Sequence, residues 1–257
     1  MSYTYTIAQI KQHIEAGLTT EEELAFRRDA RKGVQQLMRK YDRERAKQEE
    51  LRQQFNDMSK WERECRARGK RYIAGIDEAG RGPLAGPVVA AAVMLPEDFY
   101  LPGLTDSKQL TLAEREHFFT YIQEHAVSYG IAMVDSKTID EINILQATKQ
   151  AMLQAIQQLN PTPDQLLIDA VPLPEASLTY QSMPKGDQRS ISIAAASVLA
   201  KVSRDRYMSQ LGQQYPGYHL EKNMGYGTKA HLDALRNQGV TPYHRLSFAP
   251  VKAAVKL

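Results

Sequence analysis

The sequence predicts an α/β fold in which a mixed β-sheet is flanked by helices, with a helical extension before the sheet and a helical segment after it. From Arg71 onward, short apolar runs alternate with longer amphipathic segments. The first two runs are separated by a turn rich in Gly and Pro, which favours an antiparallel pair, and the later runs alternate with helices. Residues 1–70 have a helical periodicity instead.

The extension begins with four aliphatic residues at helical spacing: Ile7, Ile10, Ile14 and Leu18. Gly17 is expected to end this helix, and Thr20 with Glu23 resembles a capping box that starts the next one. A long charged helix is then predicted over residues 21–60, with a break near Gly33.

The positive charge of the chain is concentrated in this extension. Residues 1–70 hold 16 Lys and Arg against 12 Asp and Glu, whereas the remaining residues hold 17 against 18. Such an excess is able to attract the phosphates of a nucleic acid without reading its sequence. A solvated helical arm explains the same charges equally well, and both interpretations stay open at this point.

The catalytic-size remainder, residues 71–257, is predicted as one domain of alternating elements. Strands are predicted at 71–79, 87–95, 127–135 and 166–171, with a less regular candidate at 178–183. Helices are predicted at 111–126, 138–159, 191–215 and 228–239.

Composition excludes several classes of protein. The single Cys65 rules out an internal disulfide and a cysteine-based zinc site, and it fits a reducing compartment. No secretory signal is visible at the start, and no run of about 18 apolar residues occurs. We therefore expect a soluble protein of the cytoplasm with no membrane partner.

Carboxylates stand where two predicted strands end. Asp77 and Glu78 close the first strand, Asp169 closes the run QLLIDAV, and Asp187 lies in the loop MPKGDQRS. Adjacent ionised carboxylates repel each other, and burying them unpaired is costly, so a cation is the natural partner. Oxygen ligands without His or Cys predict Mg²⁺ or Mn²⁺. Asp77 and Glu78 reach one site only if the chain bends at Glu78.

Each carboxylate taken alone has an ordinary explanation. A single acidic residue at a strand end is more often a surface or capping group. Asp187 in particular fits a turn former or a helix N-cap. The metal hypothesis therefore depends on the set of four.

Seven motifs in order resemble the bacterial type 2 ribonuclease H family (RNase HII). They are DEAGRGPLAGPVVAAAV, LTDSKQLT, IDEINILQAT, LLIDAV, KGDQRSISIAAASVLAKVSRDR, GYGTKAH and YHRLSFAPV. The resemblance covers residues 71–251, so the segment before Tyr72 lies outside it. Seven motifs in one order are far more specific than any one of them.

The resemblance implies an RNase H-like fold and an endonuclease that acts as a monomer. It would cut the RNA strand of RNA·DNA hybrids, and also duplex DNA at a single embedded ribonucleotide, as in ribonucleotide excision repair. Asp77, Glu78, Asp169 and Asp187 would hold two divalent cations, Mn²⁺ or Mg²⁺, across the scissile phosphate. The products would carry a 3′-hydroxyl and a 5′-phosphate.

The resemblance also implies substrate-binding residues. Gly80, Arg81 and Gly82 would face the ribonucleotide, with glycines that let the backbone approach a 2′-hydroxyl, and Tyr226 would pack beside the sugar. A tight turn and a loop anchor are the respective alternatives. Thr105, Ser107, Lys108, Ser197 and Lys201 would contact phosphates, although Lys201 also fits a solvated helix lysine.

Two other classes of function explain less of the sequence. A non-catalytic duplex-binding protein would not gather four carboxylates where a polyanion must lie. A nucleotide-binding enzyme would use the Gly-rich turn as a phosphate cradle, but G-R-G-P lacks the Gly-Lys-Ser/Thr ending and Pro83 removes a backbone donor.

Overall fold

The computed structural model describes residues 5–255 and divides into two compact units, Met1–Gln54 and Phe55–Leu257. Residues 55–70, which the sequence analysis assigns to the extension, thus group with the second unit. Phe55 and Met58 are buried in its core, and the side chain of Glu62 accepts hydrogen bonds from Ser190 and Ser192.

The first unit is helical and has a small core of its own. It contains α1 (Ile7–Ala16), α2 (Thr20–Arg28) and most of α3 (Lys32–Met58). Its buried residues are Ile10, Phe26, Val34 and Met38. As predicted, Gly17 caps the end of α1.

Two details of this unit differ from the prediction. The capping box of α2 is formed by Thr19 and Glu22, one residue earlier than predicted. The break precedes Gly33, because Asp29 is extended and its carboxylate accepts a hydrogen bond from the Arg31 backbone N–H at 2.9 Å. Gly33 lies inside α3, where a Cβ would come within 2.6 Å of the Ile7 side chain.

The second unit is built on a five-stranded mixed sheet, as predicted. Its strands are β1 (Ile73–Ala79), β2 (Val88–Met94), β3 (Ser128–Val134), β4 (Gln165–Asp169) and β5 (Tyr180–Met183), in the spatial order β3-β2-β1-β4-β5. The pairs β1–β2 and β2–β3 are antiparallel, whereas β1–β4 and β4–β5 are parallel. The carboxyl ends of β1 and β4 therefore meet at one edge of the sheet.

Helices cover both faces of this sheet. They are α4 (Lys60–Ala67), α5 (Leu112–His125), α6 (Ser136–Ile142), α7 (Ile144–Gln157), α8 (Ile191–Gln214), α9 (Leu220–Asn223), α10 (Lys229–Gln238) and α11 (Ala249–Val255). One face packs against α5 and α8, and the other packs against α7. All seven residues of β2 are buried because both of its faces are covered.

The predicted helix over 138–159 is in fact two helices. Asn143 has a φ of 67°, and its side chain accepts hydrogen bonds from the backbone N–H groups of Leu145 and Gln146, so it ends α6 and caps α7. The short α9 and the last helix, α11, are not among the predicted elements. No helix within residues 5–255 is long and apolar enough to cross a membrane.

Candidate active site

Three of the four predicted acidic residues converge at the edge where β1 and β4 end. Asp77 lies near the end of β1, Asp169 is the last residue of β4, and Asp187 lies in a 3₁₀ turn over Gly186–Gln188. One carboxylate oxygen from each lies within 4.8 Å of the others. The Gly186 backbone N–H donates to Asp169 Oδ1 at 2.7 Å, which fixes the turn that carries Asp187.

Glu78 has a different position from the one predicted. Strand pairing continues through Glu78 and Ala79, so the chain does not bend at Glu78 and leaves the strand at Gly80 instead. Glu78 is therefore outside the three-aspartate cluster, on the opposite face of the strand. Its Oε1 lies 3.4 Å from an Arg81 nitrogen, and its Oε2 is buried without a hydrogen-bond partner among the described residues.

The cluster is electrostatically unfavourable without a cation. Burial raises the pKa of Asp77 well above its ordinary value, and the charges of Glu78 and Asp169 add to this effect. Burial also raises the pKa of Glu78. For Asp187, burial together with Asp106 and Asp169 raises the pKa to about 6. A group of carboxylates that disfavour their own ionised form is typical of a functional site.

These donors fit a hard divalent cation. The cluster offers only carboxylate oxygens, which suit Mg²⁺ and Mn²⁺ rather than softer metals. The unpartnered Oε2 of Glu78 is a further buried acceptor close by. A cation between these groups would reverse the repulsion that raises their pKa values.

A pocket of 230 Å³ lies beside the carboxylates and contains eight of the nine predicted substrate-binding residues. Its lining includes Gly80, Arg81, Gly82, Ser107, Lys108, Ser197, Lys201 and Tyr226, together with Glu78 and Arg204. Thr105 is the exception, since it is buried and does not line the pocket. The sequence motifs that carry these residues are therefore brought to one place by the fold.

The candidate phosphate contacts on the pocket differ in how free they are. Ser107 and Ser197 are hydrogen-bonded to each other at 2.9 Å through their hydroxyls. The side chain of Lys108 is 77% exposed, so its ammonium group is accessible to a ligand. Lys201 donates to Asp205 at 2.7 Å on the same helix, so binding phosphate would require it to share or leave that partner.

Gly80 and Gly82 are glycines for different reasons. Gly80 has a φ of 94°, and a Cβ there would lie 2.0 Å from Arg204 Nε, so the fold itself demands glycine. At Gly82 φ is not in the left-handed region, and a Cβ would meet only Tyr226 Cε1, at an ordinary 3.6 Å. The protein's own packing therefore leaves room at Gly82, on the side that faces the Tyr226 ring.

Several residues at or near the site were not identified from the sequence. Asp106 lies beside Asp187, and Gln188 Nε2 donates to its carboxylate at 3.4 Å. Buried arginines and histidines support the pocket loops; they are Arg204, His231, His244 and Arg245. All five residues occur within or next to the seven motifs, and charged or imidazole side chains inside such motifs were the available signal.

Comparison with known proteins identifies the family. The model of Ribonuclease HII matches residues 74–251, and the model of the Ribonuclease HII N-terminal domain matches residues 6–66. The curated Ribonuclease HII of Oceanobacillus iheyensis is 51% identical over 247 residues, which cover 96% of this chain and 95% of that protein.

Solved structures agree in fold. The ribonuclease H2 of Pyrococcus horikoshii OT3 matches with a TM-score of 0.62 and 26% identity, over 72% of this chain and 97% of that one. Bst-RNase HIII in complex with Mn²⁺ matches with a TM-score of 0.59 and 20% identity, over 73% of this chain and 70% of that one. With its mixed sheet, its clustered aspartates and its matched motifs, this chain belongs to the ribonuclease HII family of endonucleolytic hydrolases.

Proposed function

We propose that this ribonuclease incises duplex DNA at a single embedded ribonucleotide, as well as the RNA strand of RNA·DNA hybrids, by two-metal-ion hydrolysis. The observation that carries the proposal is a narrow pocket, with Gly82 on one side and the Tyr226 ring on the other, that opens beside Asp77, Asp169 and Asp187. The products would be a 3′-hydroxyl and a 5′-phosphate.

Asp77, Asp169 and Asp187 would hold the divalent cations, with Glu78 contributing from the opposite side of the strand. When bound, the cations would activate the attacking water and stabilise the leaving 3′ oxygen. The Mn²⁺ in the Bst-RNase HIII complex, which shares the fold, supports this class of metal. Asp169 is already oriented for the role by the Gly186 N–H, which leaves its other oxygen free of that bond.

The phosphates that flank the cleavage site would be positioned by polar groups of the pocket. The exposed ammonium of Lys108 supplies positive charge; although burial opposes it, Asp106 and the site aspartates raise its pKa, so it stays charged at neutral pH. The hydroxyls of Ser107 and Ser197 present short-range donors next to it. Their task would be to hold the scissile phosphate over the carboxylates.

Selection of ribose would come from the gap between Gly82 and Tyr226. A 2′-hydroxyl needs a donor or acceptor held close to it, and the backbone of residues 80–82 can provide one because no Cβ blocks the approach at Gly82. The Tyr226 side chain is 47% exposed, so its ring is available to pack on a sugar. Arg81 lines the same pocket and pairs with Glu78.

The first unit would add non-specific attraction to the duplex. Its helices carry 11 Lys and Arg against 9 Asp and Glu over residues 1–54, an excess of only two positive charges. Phosphate contacts of this kind would increase affinity without selecting a sequence.

An incision assay with mapped ends tests the proposal. A duplex with one ribonucleotide is labelled at either end and incubated with the enzyme in Mn²⁺, in Mg²⁺ or in EDTA. We expect metal-dependent cutting at the ribonucleotide, with a 3′-hydroxyl and a 5′-phosphate. Cutting in EDTA, or ends with a 2′,3′-cyclic phosphate, would contradict the mechanism, because the latter requires attack by the ribose itself.

A further inference from the structure

Two arginines of the second unit are completely buried, yet neither forms an ion pair with a carboxylate of residues 5–255. Arg204, on α8, is 1% exposed and Arg245 is 0% exposed. Burying a guanidinium is costly unless every donor finds an acceptor. The position of those acceptors therefore shows what the two side chains hold in place.

Every hydrogen bond of both guanidinium groups goes to backbone carbonyls of the pocket loops. We call residues 80–87 the ribose loop and residues 223–228 the tyrosine loop. Arg245 donates only to the ribose loop, at the carbonyls of Gly80, Arg81, Pro83 and Gly86. Arg204 donates to Pro87 at 3.0 Å and Ala85 at 3.1 Å, and also to Met224 of the tyrosine loop at 2.9 Å.

Arg204 is thus the side chain that joins the two walls of the pocket. One direct backbone bond supports the same junction, since the Leu84 N–H donates to the Gly225 carbonyl at 2.7 Å. A charged, planar fork suits this role because it can donate in several fixed directions at once, which a lysine ammonium on a flexible stem does less well.

We propose that Arg204 is a positioning residue that fixes the distance between the ribose loop and Tyr226, and thereby sets selectivity for a single embedded ribonucleotide. The inference rests on the proposed function. Arg204 holds the carbonyl of Met224, two residues before Tyr226, and it lies directly beneath Gly80, two residues before Gly82. Loosening Arg204 would let the two walls move apart without touching the carboxylates.

Arg204→Lys tests this role, with Arg206→Lys as the matched control, because Arg206 lies on the same helix but is exposed and pairs with Glu116. Losing charge-assisted hydrogen bonds should lower incision at a single ribonucleotide about tenfold or more. Cleavage of a continuous RNA·DNA hybrid should fall less than about threefold, since a hybrid offers a ribose in every register. Equal losses on both substrates would mean that Arg204 is merely structural.

A double-mutant cycle separates positioning from general stabilisation. If Arg204 acts through Tyr226, then Arg204→Lys should add little to the loss already caused by Tyr226→Ala, whereas Arg245→Lys should add its full effect. Additive losses for Arg204→Lys would overturn the inference. Wild-type enzyme that fails to incise at one ribonucleotide would instead overturn the proposed function, and this inference with it.

Hydrogen exchange on the wild-type enzyme gives a result even if Arg204→Lys fails to fold. The Leu84 amide, which bridges the two loops, should exchange as slowly as core amides of β2. If the Leu84 amide exchanges as fast as an exposed loop amide, the two walls are not held together and the proposal is wrong.

Discussion

Asp77, Asp169 and Asp187 occupy positions that are poor for stability and useful for chemistry. The pKa of Asp77 is raised chiefly by burial, so its ionised form opposes folding. A carboxyl group with a raised folded-state pKa contributes most to stability below its unfolded value, and this contribution is lost as pH rises through the folded-state value. For Asp187 that window runs from 3.8 to about 6. Above it, the metal-free fold bears the full repulsion.

Asp77→Asn should therefore stabilise the metal-free protein while it abolishes activity. An amide removes one negative charge from the cluster, so in EDTA at pH 7.5 we expect thermal unfolding to rise by about 2–4 °C, the shift for about 1 kcal/mol in a chain of this size. Turnover in Mn²⁺ should fall by about a thousandfold or more. Asp98→Asn, at an exposed position, is the control and should change neither. Near wild-type turnover for Asp77→Asn would rule out the metal-centred mechanism.

Gly82→Ala separates a glycine kept for substrate from one kept for the fold. The added methyl group meets only the edge of Tyr226 at 3.6 Å, so thermal unfolding should stay within about 1 °C of wild type while incision at one ribonucleotide falls about tenfold or more. Gly80→Ala, in contrast, should destabilise the fold by about 1–3 kcal/mol because of its positive φ. Full activity in Gly82→Ala would show that no substrate atom comes close to this position.

At the scale of elements, the tyrosine loop is supported by a pair of buried neutral histidines. The Thr241 N–H donates to His244 Nδ1 at 2.8 Å, so the proton of His244 is on Nε2. That nitrogen donates to His231 Nε2 at 2.9 Å, and His231 Nδ1 donates to the Tyr226 carbonyl at 3.0 Å. A second proton on either ring would disrupt this chain of hydrogen bonds between α10 and the loops.

The histidine pair predicts a loss of stability in mild acid. Burial, followed by the charge of His231, lowers the pKa of His244 from 6.5 to about 4. Because the unfolded chain takes up the proton first, stability should decline as pH falls from 6.5 towards 4. His244→Gln should flatten the dependence of the unfolding free energy on pH over this range, whereas His117→Gln, at an exposed site of α5, should not. Parallel pH profiles for wild type and His244→Gln would contradict the assignment.

At the scale of the whole molecule, the two compact units suggest a division between attraction and chemistry. The first unit has its own core, and the site residues all lie in the second. The boundary before Phe55 matters for truncation, because Phe55, Met58 and Glu62 are buried in the second unit.

Deleting residues 1–54 should weaken substrate binding more than it lowers the maximal rate. With a net excess of two positive charges removed, the slope of log affinity against log salt should change by about 2 at most. KM and kcat measured across a salt series would show this, with the full chain as reference. An unchanged KM at every salt concentration would leave the first unit without a role in binding.

The sequence was most informative where burial leaves a local pattern. All five strands were predictable, because strands covered on both faces read as continuous apolar runs, and Asp77 and Asp169 were predictable as the ends of two such strands. The face of Glu78 depends on where pairing stops, which hydropathy does not encode. The roles of Arg204 and Arg245 depend on carbonyls more than 100 residues away, so only the folded chain reveals them.

The most direct test of the central claim compares three duplexes of one sequence under single-turnover conditions in Mn²⁺: all DNA, DNA with one ribonucleotide, and a continuous RNA·DNA hybrid. The account predicts incision of the second at the ribonucleotide, cleavage of the third, and no cutting of the first. Asp169→Asn should lose both activities together, because one carboxylate cluster serves both substrates. Cleavage of the hybrid with no incision at a lone ribonucleotide would contradict the assignment of the Gly82–Tyr226 gap to ribose selection.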